Sequence, residues 1–360
     1  MGIVLEKNPR TLAERLGGRK SRQATSGNAC ATPSAQRRSA VPVNQDEVSS
    51  NRGGRMPASW IEALKRRWLR LCMLAALLLA LPIGCAQLEQ KERELVFRVE
   101  SGTASWYGGL PADVEEMQLD SSDFLAGQNV HAWWWPAARK DAPALLYLHG
   151  SRWNLTGQLF RIEQLHDLGF SVLAIDYRGF GESPGDLPSE RSVNQDARIA
   201  WQRLEQLQPA PGKRYIYGHS LGGAVAVDLA EELSQDAERE GRAPEAGGLI
   251  IESTFTNLAD VAASIAHTSL PIRWILSQKF DSLEKIAQVR LPLLIVHGSN
   301  DPYVSPRFSE ELFVAANEPK QLLMVEGGTH NNSMRLGQRQ YRQALQRLRG
   351  EVPAQAARTP

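Results

Sequence analysis

Cysteine is scarce in this 360-residue chain and absent from most of it. The three are Cys30, Cys72 and Cys85, and none follows residue 85. Residues 86–360 therefore contain no disulfide, no thiolate metal site and no cysteine nucleophile. Their stability must come from an apolar core, which a segment of this length can bury. A basic footprint is missing too. The same stretch carries 27 Lys and Arg against 35 Asp and Glu, and an acidic domain argues against nucleic acid as a partner, because phosphate binding demands a positive face. The overall charge of +1 arises because residues 1–55 carry ten basic residues against four acidic ones, scattered and without interleaved aromatics, and residues 56–85 carry four against one. Long apolar runs are also lacking. The run Leu71–Leu81 has eleven residues, where a bilayer span takes about 20. There is no internal repeat, and the turn at Asp176-Tyr177-Arg178-Gly179-Phe180-Gly181-Glu182-Ser183 lacks the glycine spacing and lysine of a phosphate loop. It reads as structural, with Arg178 bracing neighbouring loops.

What is present begins with an export pattern. Residues 1–55, rich in Ser, Ala, Arg, Gly and Pro, read as disordered or as an extension ahead of a start at Met56. From Met56 the pattern sharpens, with Lys65, Arg66, Arg67 and Arg70 before the apolar run and Pro82-Ile83-Gly84-Cys85 closing it. A basic region, a short apolar run and a small residue before a cut make a secretory signal. Gly84-Cys85 resembles the bacterial lipobox, whose Cys receives diacylglycerol, although Pro82 stands where that pattern usually has Leu. The resemblance implies lipidation of Cys85 and a membrane-anchored protein on the periplasmic side. Ala86, rather than Asp, after the Cys points to the outer membrane. The alternative is an uncleaved signal anchor in which Cys85 is only a small apolar residue. Residues 86–112 read as a linker, 113–350 as the globular domain and 351–360 as a disordered tail.

Within the globular domain, strand-like and helix-like runs alternate. Strands are expected at Val114–Leu119, Val130–Trp135, Ala144–His149, Ser171–Asp176, Arg214–Gly218, Gly248–Glu252, Leu291–His297 and Gln321–Val325. Several are continuous apolar runs, as in parallel strands buried on both faces. Val193, Ala197, Ala200, Trp201, Leu204 and Leu207 share one face of a helix, as do Tyr341, Leu345 and Leu348. Strands separated by such helices imply right-handed βαβ units. The first two strands lack an intervening helix and should form an antiparallel edge.

The sharpest chemical motif is Gly218-His219-Ser220-Leu221-Gly222-Gly223, between the strand ending there and the helical run Ala224–Leu233. In G-x-S-x-G the turn is too tight for flanking side chains, and it lifts the serine to the carboxyl edge of the sheet. The following helix aims its positive N-terminus at the site. A serine hydroxyl needs a base to take its proton. Of seven histidines, His330 alone follows both of its prospective partners, in a glycine-rich loop after the last strand. Asp301, just past the strand Leu291–His297, is the acid expected to orient it, and Glu326 is the alternative. An oxyanion hole needs two backbone N–H groups. Leu221, after the nucleophile, supplies one. The loop His149-Gly150-Ser151-Arg152 supplies the other, from Ser151 or, failing that, Arg152.

From about Val114 to Leu348 the chain resembles the α/β-hydrolase superfamily. The resemblance rests on HGS at 149–151, DYRGFGES at 176–183, GHSLGG at 218–223, IIESTF at 250–255, LLIVHGSNDPYV at 293–304 and GGTH at 327–330. It implies an α/β-hydrolase fold: a mostly parallel eight-stranded sheet, helices on both faces and a short lid over about 256–290. IIESTF and the short lid resemble the branch of serine-aminopeptidase-like bacterial hydrolases and protein-depalmitoylating hydrolases. Ser151 stands where that branch often has Asn. Relatives with an Asp nucleophile are disfavoured by Ser220. The activity implied is two-step acyl transfer to water on a small-molecule ester or thioester, with no metal or organic cofactor. A peptidase or amidase is the alternative enzyme, and a non-catalytic binding module the alternative of another class. Leu258, Val261, Ile265, Leu270, Ile272, Trp274, Ile275 and Leu276 would build an apolar lid and acyl pocket, or else pack on the sheet.

Overall fold

The computed structural model describes residues 57–120, 129–266 and 272–351. The upstream segment with Cys30, the tail from residue 352, and Leu270 of the lid lie outside the described residues. The chain divides into two compact units, Met1–Lys65 and Arg66–Pro360. In the first, residues 57–65 open helix α1 (Ala58–Phe97), where the Pro57 carbonyl accepts from the Trp60 N–H and Glu62 pairs with Lys65. The second unit holds the rest of α1 and the whole sheet.

The strands are β1 (Glu115–Leu119), β2 (Val130–Trp135), β3 (Ala144–Leu148), β4 (Ser171–Ile175), β5 (Arg214–His219), β6 (Gly248–Glu252), β7 (Leu293–Gly298) and β8 (Lys320–Val325). They form one sheet in the order β1-β2-β4-β3-β5-β6-β7-β8. β1 and β2 are antiparallel to each other, and β2 is antiparallel to β4; every pairing from β4 through β8 is parallel. This is the α/β-hydrolase fold, with the antiparallel edge that the missing first helix implied. Every residue of β3 to β7 is buried, because helices cover both faces and apolar side chains are needed on both. α3 (Glu190–Leu207) and α4 (Leu221–Arg239) pack one face. α2 (Leu155–Asp167) and α9 (Gln338–Leu348) pack the other. α5 (Leu258–Ala266) and α6 (Ser282–Ile286) lie between β6 and β7, α7 (Pro306–Ala315) between β7 and β8, and α8 (Ser333–Leu336) just before α9.

From β3 the chain crosses to β4 on one side, then returns past β3 to β5 on the other. The crossovers diverge there, opening a crevice at the carboxyl ends of β3 and β5 where doubly wound folds bind ligands. α3 begins in a reciprocal cap, Ser189 Oγ accepting from the Ser192 N–H (3.2 Å) and Ser192 Oγ from the Ser189 N–H (2.9 Å). Arg178, expected to brace loops, instead braces that helix: Nε donates to Asp196 Oδ1 (2.5 Å) and its own N–H to Oδ2 (2.8 Å).

One region differs from the sequence reading. α1 continues through Pro82 and Cys85 to Phe97, so residues 86–97 of the expected linker are helical. The run 86–97 is rich in Gln, Leu, Glu, Lys and Arg. These residues look like a solvated connection but favour helix, and here Glu92 and Phe97 are buried. Among the described residues α1 is the helix long and apolar enough to cross a membrane, and nothing covers its apolar stretch. A signal sequence would have the same character.

Trp201 is 1% exposed between α3 and the sheet, so Trp201→Ala should cost about 4 kcal/mol of unfolding free energy. A urea titration followed by circular dichroism measures this, and a loss below about 1 kcal/mol would contradict the packing.

Candidate active site

β5 ends and α4 begins around a single residue. Ser220 sits between them with φ 56° and ψ −122°, a backbone state costing a non-glycine residue roughly 1–3 kcal/mol. Hydrogen bonds hold it there. Its N–H donates to the Glu252 carbonyl (2.9 Å), and its own carbonyl accepts from the Gly223 N–H (2.9 Å) and Thr254 Oγ1 (2.8 Å). The turn is closed so tightly that a Cβ at Gly218 would run into the Gly222 carbonyl. A Cβ at Gly222 would run into the carbonyls of Leu148 and His149 at the end of β3. The glycines of G-x-S-x-G are thus required by backbone crowding.

Asp301 follows β7 and is buried to 0% side-chain exposure. Its Oδ2 accepts from His330 Nδ1 at 2.7 Å and lies 3.3 Å from His297 Nε2; its Oδ1 accepts the N–H groups of Tyr303 (2.9 Å) and Val304 (3.0 Å). Burial alone would push this carboxyl upward. The bonds from His297 and His330, the charge of His330 and the Val304 N–H outweigh it and hold Asp301 well below the usual carboxylate range. Glu326, the alternative acid, is exposed at the end of β8. With Nδ1 of His330 donating to Asp301, Nε2 is the nitrogen left to accept a proton. Among the described residues no hydrogen bond joins Ser220 to His330, but both line one cavity of about 940 Å³.

Gly150, Ser151, Arg152 and Leu221 line the same cavity. The Arg152 N–H is committed to the Phe97 carbonyl at 2.9 Å, so Arg152 is removed from the oxyanion choice and Ser151 stays. Arg152 and Trp153 both have positive φ, 64° and 62°. The Arg152 guanidinium pairs with Glu100 at 3.2 Å. The other walls are mostly apolar, with Lys91, Glu92, Arg98 and Gln158 among them. Leu258, Val261 and Ile265 of α5 contribute, with Ile275 and Leu276, and so do Leu88, Leu95 and Val96 of α1. Trp274 does not belong to this lining. The 3-10 turn Ile272–Trp274 directs it outward, 88% exposed, which corrects its place in the expected pocket.

Two features escaped the sequence reading. The first is His219. It is buried, and burial, then the charges of Arg161 and His330, hold its imidazole well below its ordinary range. The neutral ring donates from Nε2 to the His330 carbonyl at 2.8 Å, tying the serine turn to the histidine loop. The second is a polar layer beneath the turn. Glu252 accepts from Arg161 NH1 (3.0 Å), Tyr217 OH (2.8 Å) and Tyr341 OH (3.1 Å), with Arg161 and Glu252 both fully buried. An arginine spaced among helical apolar residues, and a glutamate closing the apolar strand LIIE, were the available signals.

Residues 141–284 match the family model described as serine aminopeptidase, S33. An uncharacterized protein of Mycobacterium tuberculosis (strain H37Rv) is 34% identical over 265 residues, covering 73% of this chain and 88% of that protein. Lysophosphatidylserine lipase ABHD12 of Danio rerio is 34% identical over 206 residues, covering 53% of this chain and 51% of the lipase, so the chain spans about half of that relative. Among solved structures, Pyrococcus furiosus esterase Pf2001 aligns with a TM-score of 0.55 at 16% identity, over 71% of this chain and 98% of the esterase. An alpha-beta hydrolase of Vibrio vulnificus aligns with a TM-score of 0.53 at 21% identity, over 73% and 91%. At these identities the likeness to solved structures is one of fold.

The crowding at the serine turn can be tested directly. Gly222→Ala should destabilise the protein by about 1–3 kcal/mol, whereas Gly212→Ala, where a Cβ meets nothing within 4 Å, should stay within about 0.5 kcal/mol. Equal melting curves for the two variants would contradict the close approach of β3 and α4.

Proposed function

The chain belongs to the α/β-hydrolase superfamily, and from that premise we propose that it is a serine hydrolase cleaving carboxylic esters or thioesters. Ser220 Oγ attacks the acyl carbonyl while His330 Nε2 takes its proton. Asp301 fixes the tautomer and stabilises the imidazolium. The N–H groups of Leu221 and Ser151 receive the developing oxyanion, assisted by the N-terminus of α4. His330 returns the proton to the leaving alcohol or thiol, and a water molecule, deprotonated by the same imidazole, releases the acid from the serine. The observation that carries this reading is the 2.7 Å bond from His330 to a buried Asp301, on a cavity that Ser220 also lines.

The apolar walls favour an acyl chain over a polar substrate. The lipase among the relatives supports a single-chain lipid ester as the substrate class. The peptidase reading draws its support from the serine aminopeptidase family description. It predicts best turnover on aminoacyl amides. A non-catalytic binding role predicts no turnover at all. We further propose that the protein is exported and membrane-anchored through the apolar part of α1, with Cys85, exposed on that helix, as the site of lipidation if the segment is cut.

Ser220→Ala and His330→Ala should each lower kcat by roughly 10⁴-fold or more, with Asp301→Asn also severe and Glu326→Gln within about threefold. Steady-state turnover of a para-nitrophenyl ester measures all four. A near-silent Asp301→Asn beside a crippled Glu326→Gln would overturn the choice of acid. For the anchor, intact-mass spectrometry of membrane-extracted protein should find a lipidated N-terminus at Cys85. Retention of residues 56–84 would make α1 an uncleaved anchor, and a wholly soluble pool would remove both.

A further inference from the structure

Leu88, Glu92, Leu95 and Val96 recur at helical spacing, so they occupy one face of α1. All four line the cavity that holds Ser220. Glu92 is 8% exposed, a burial that a carboxylate tolerates only when donors surround it. Its Oε2 accepts from the Ser277 N–H (2.8 Å) and Ser277 Oγ (2.9 Å), and its Oε1 from the Gln278 N–H (2.7 Å). The next two N–H groups, of Lys279 and Phe280, donate to Glu190 at the start of α3 (2.7 and 2.9 Å). Two carboxylates from different helices therefore hold four successive backbone donors of the lid's return segment. α1 is fixed in turn, by Arg93 Nε donating to the Pro188 carbonyl (2.7 Å) and by the buried Phe97 ring meeting Phe280 edge-on at 6.1 Å.

We propose that the last turns of α1 are a specificity-determining wall of the acyl cavity, with Leu88 and Leu95 lying along the acyl chain and Glu92 latching the lid segment Ser277–Gln278 to them. The inference rests on the reading of the protein as an acyl hydrolase acting through Ser220. Leu88 and Leu95 are 55% and 76% exposed, so they offer apolar area for a chain to cover, and each methylene buried there adds about fourfold to binding. Chain-length preference is then set partly by the helix that carries the apolar anchor, and not by the lid alone. The three residues follow Cys85, so the wall is the same whether or not the segment before it is removed.

The test compares kcat/KM for para-nitrophenyl dodecanoate and butyrate, using the full chain in mixed micelles. Leu88→Trp and Leu95→Trp, which fill the cavity side of α1, should lower the dodecanoate-to-butyrate ratio by about tenfold or more. Gln90→Trp, on the opposite face of the same helix, should leave the ratio within about twofold. Leu88→Ala and Leu95→Ala, which only remove contact area and are safer for folding, should lower it by about fivefold. Glu92→Ala should raise KM for the dodecanoate about tenfold while changing kcat much less, a split that general destabilisation would not produce. Ratios in all four leucine variants equal to that of Gln90→Trp, in protein that still labels with a fluorophosphonate, would overturn the wall. Wild-type protein that neither labels nor hydrolyses either ester would instead overturn the hydrolase reading, and the wall with it.

Discussion

The turn at Ser220 is the constraint on which the rest of the site depends. A left-handed serine between a buried strand and a helix is unfavourable by itself, and it persists because the surroundings leave no other path. Gly218 and Gly222 allow β5, α4 and the end of β3 to approach to backbone contact. The Glu252 carbonyl and Thr254 hydroxyl then pin the peptide groups on either side of the serine. The same crowding brings the His149-Gly150 turn against the serine, so one packing decision sets both the hydroxyl and the loop of the proposed oxyanion donor. The sheet order supplies the space, since the crossovers after β3 separate there.

Beneath the turn lies a layer of charge shielded from solvent. Arg161 and Glu252 are fully buried and paired, with two tyrosine hydroxyls completing the acceptor positions of the glutamate. A buried pair of this kind adds little net stability, so its presence under the serine reflects what it holds in place. Burial, and then the charge of Arg161, keep the neighbouring His219 neutral, and a neutral His219 has the one N–H with which it grips the His330 carbonyl. The serine turn and the histidine loop, 111 residues apart in the chain, are joined through that bond. The carboxylate of Asp301, held ionised by its own donors, orients the ring from the other side.

Most of the scaffold was legible in the residues. Continuous apolar runs such as LLYL and LIIE mark strands buried on both faces, and Val193, Ala197, Ala200, Trp201 and Leu204 mark the face that α3 turns to the sheet. Motif order brought Ser220, Asp301 and His330 forward as candidates, and the folded chain gathers them at one edge. What was not legible depends on contacts distant in sequence. Glu92 looks like one more charge in a solvated linker until Ser277 and Gln278, 185 and 186 residues on, supply its donors. Trp274 has the composition of a pocket residue, but a 3-10 turn decides its direction and sends it to solvent. His219 reads as a filler inside the glycine motif, because spacing carries no sign of the carbonyl it meets. Periodicity identifies a helix face, and only packing decides what that face meets.

The central claim is that Ser220 becomes acylated, and covalent trapping tests it most directly. The full chain, incubated with a fluorophosphonate probe and digested, should yield one modified peptide, with the adduct on Ser220. Prior titration with a slow-turnover ester should block it. An adduct at any other residue, or none from folded protein, would contradict the account.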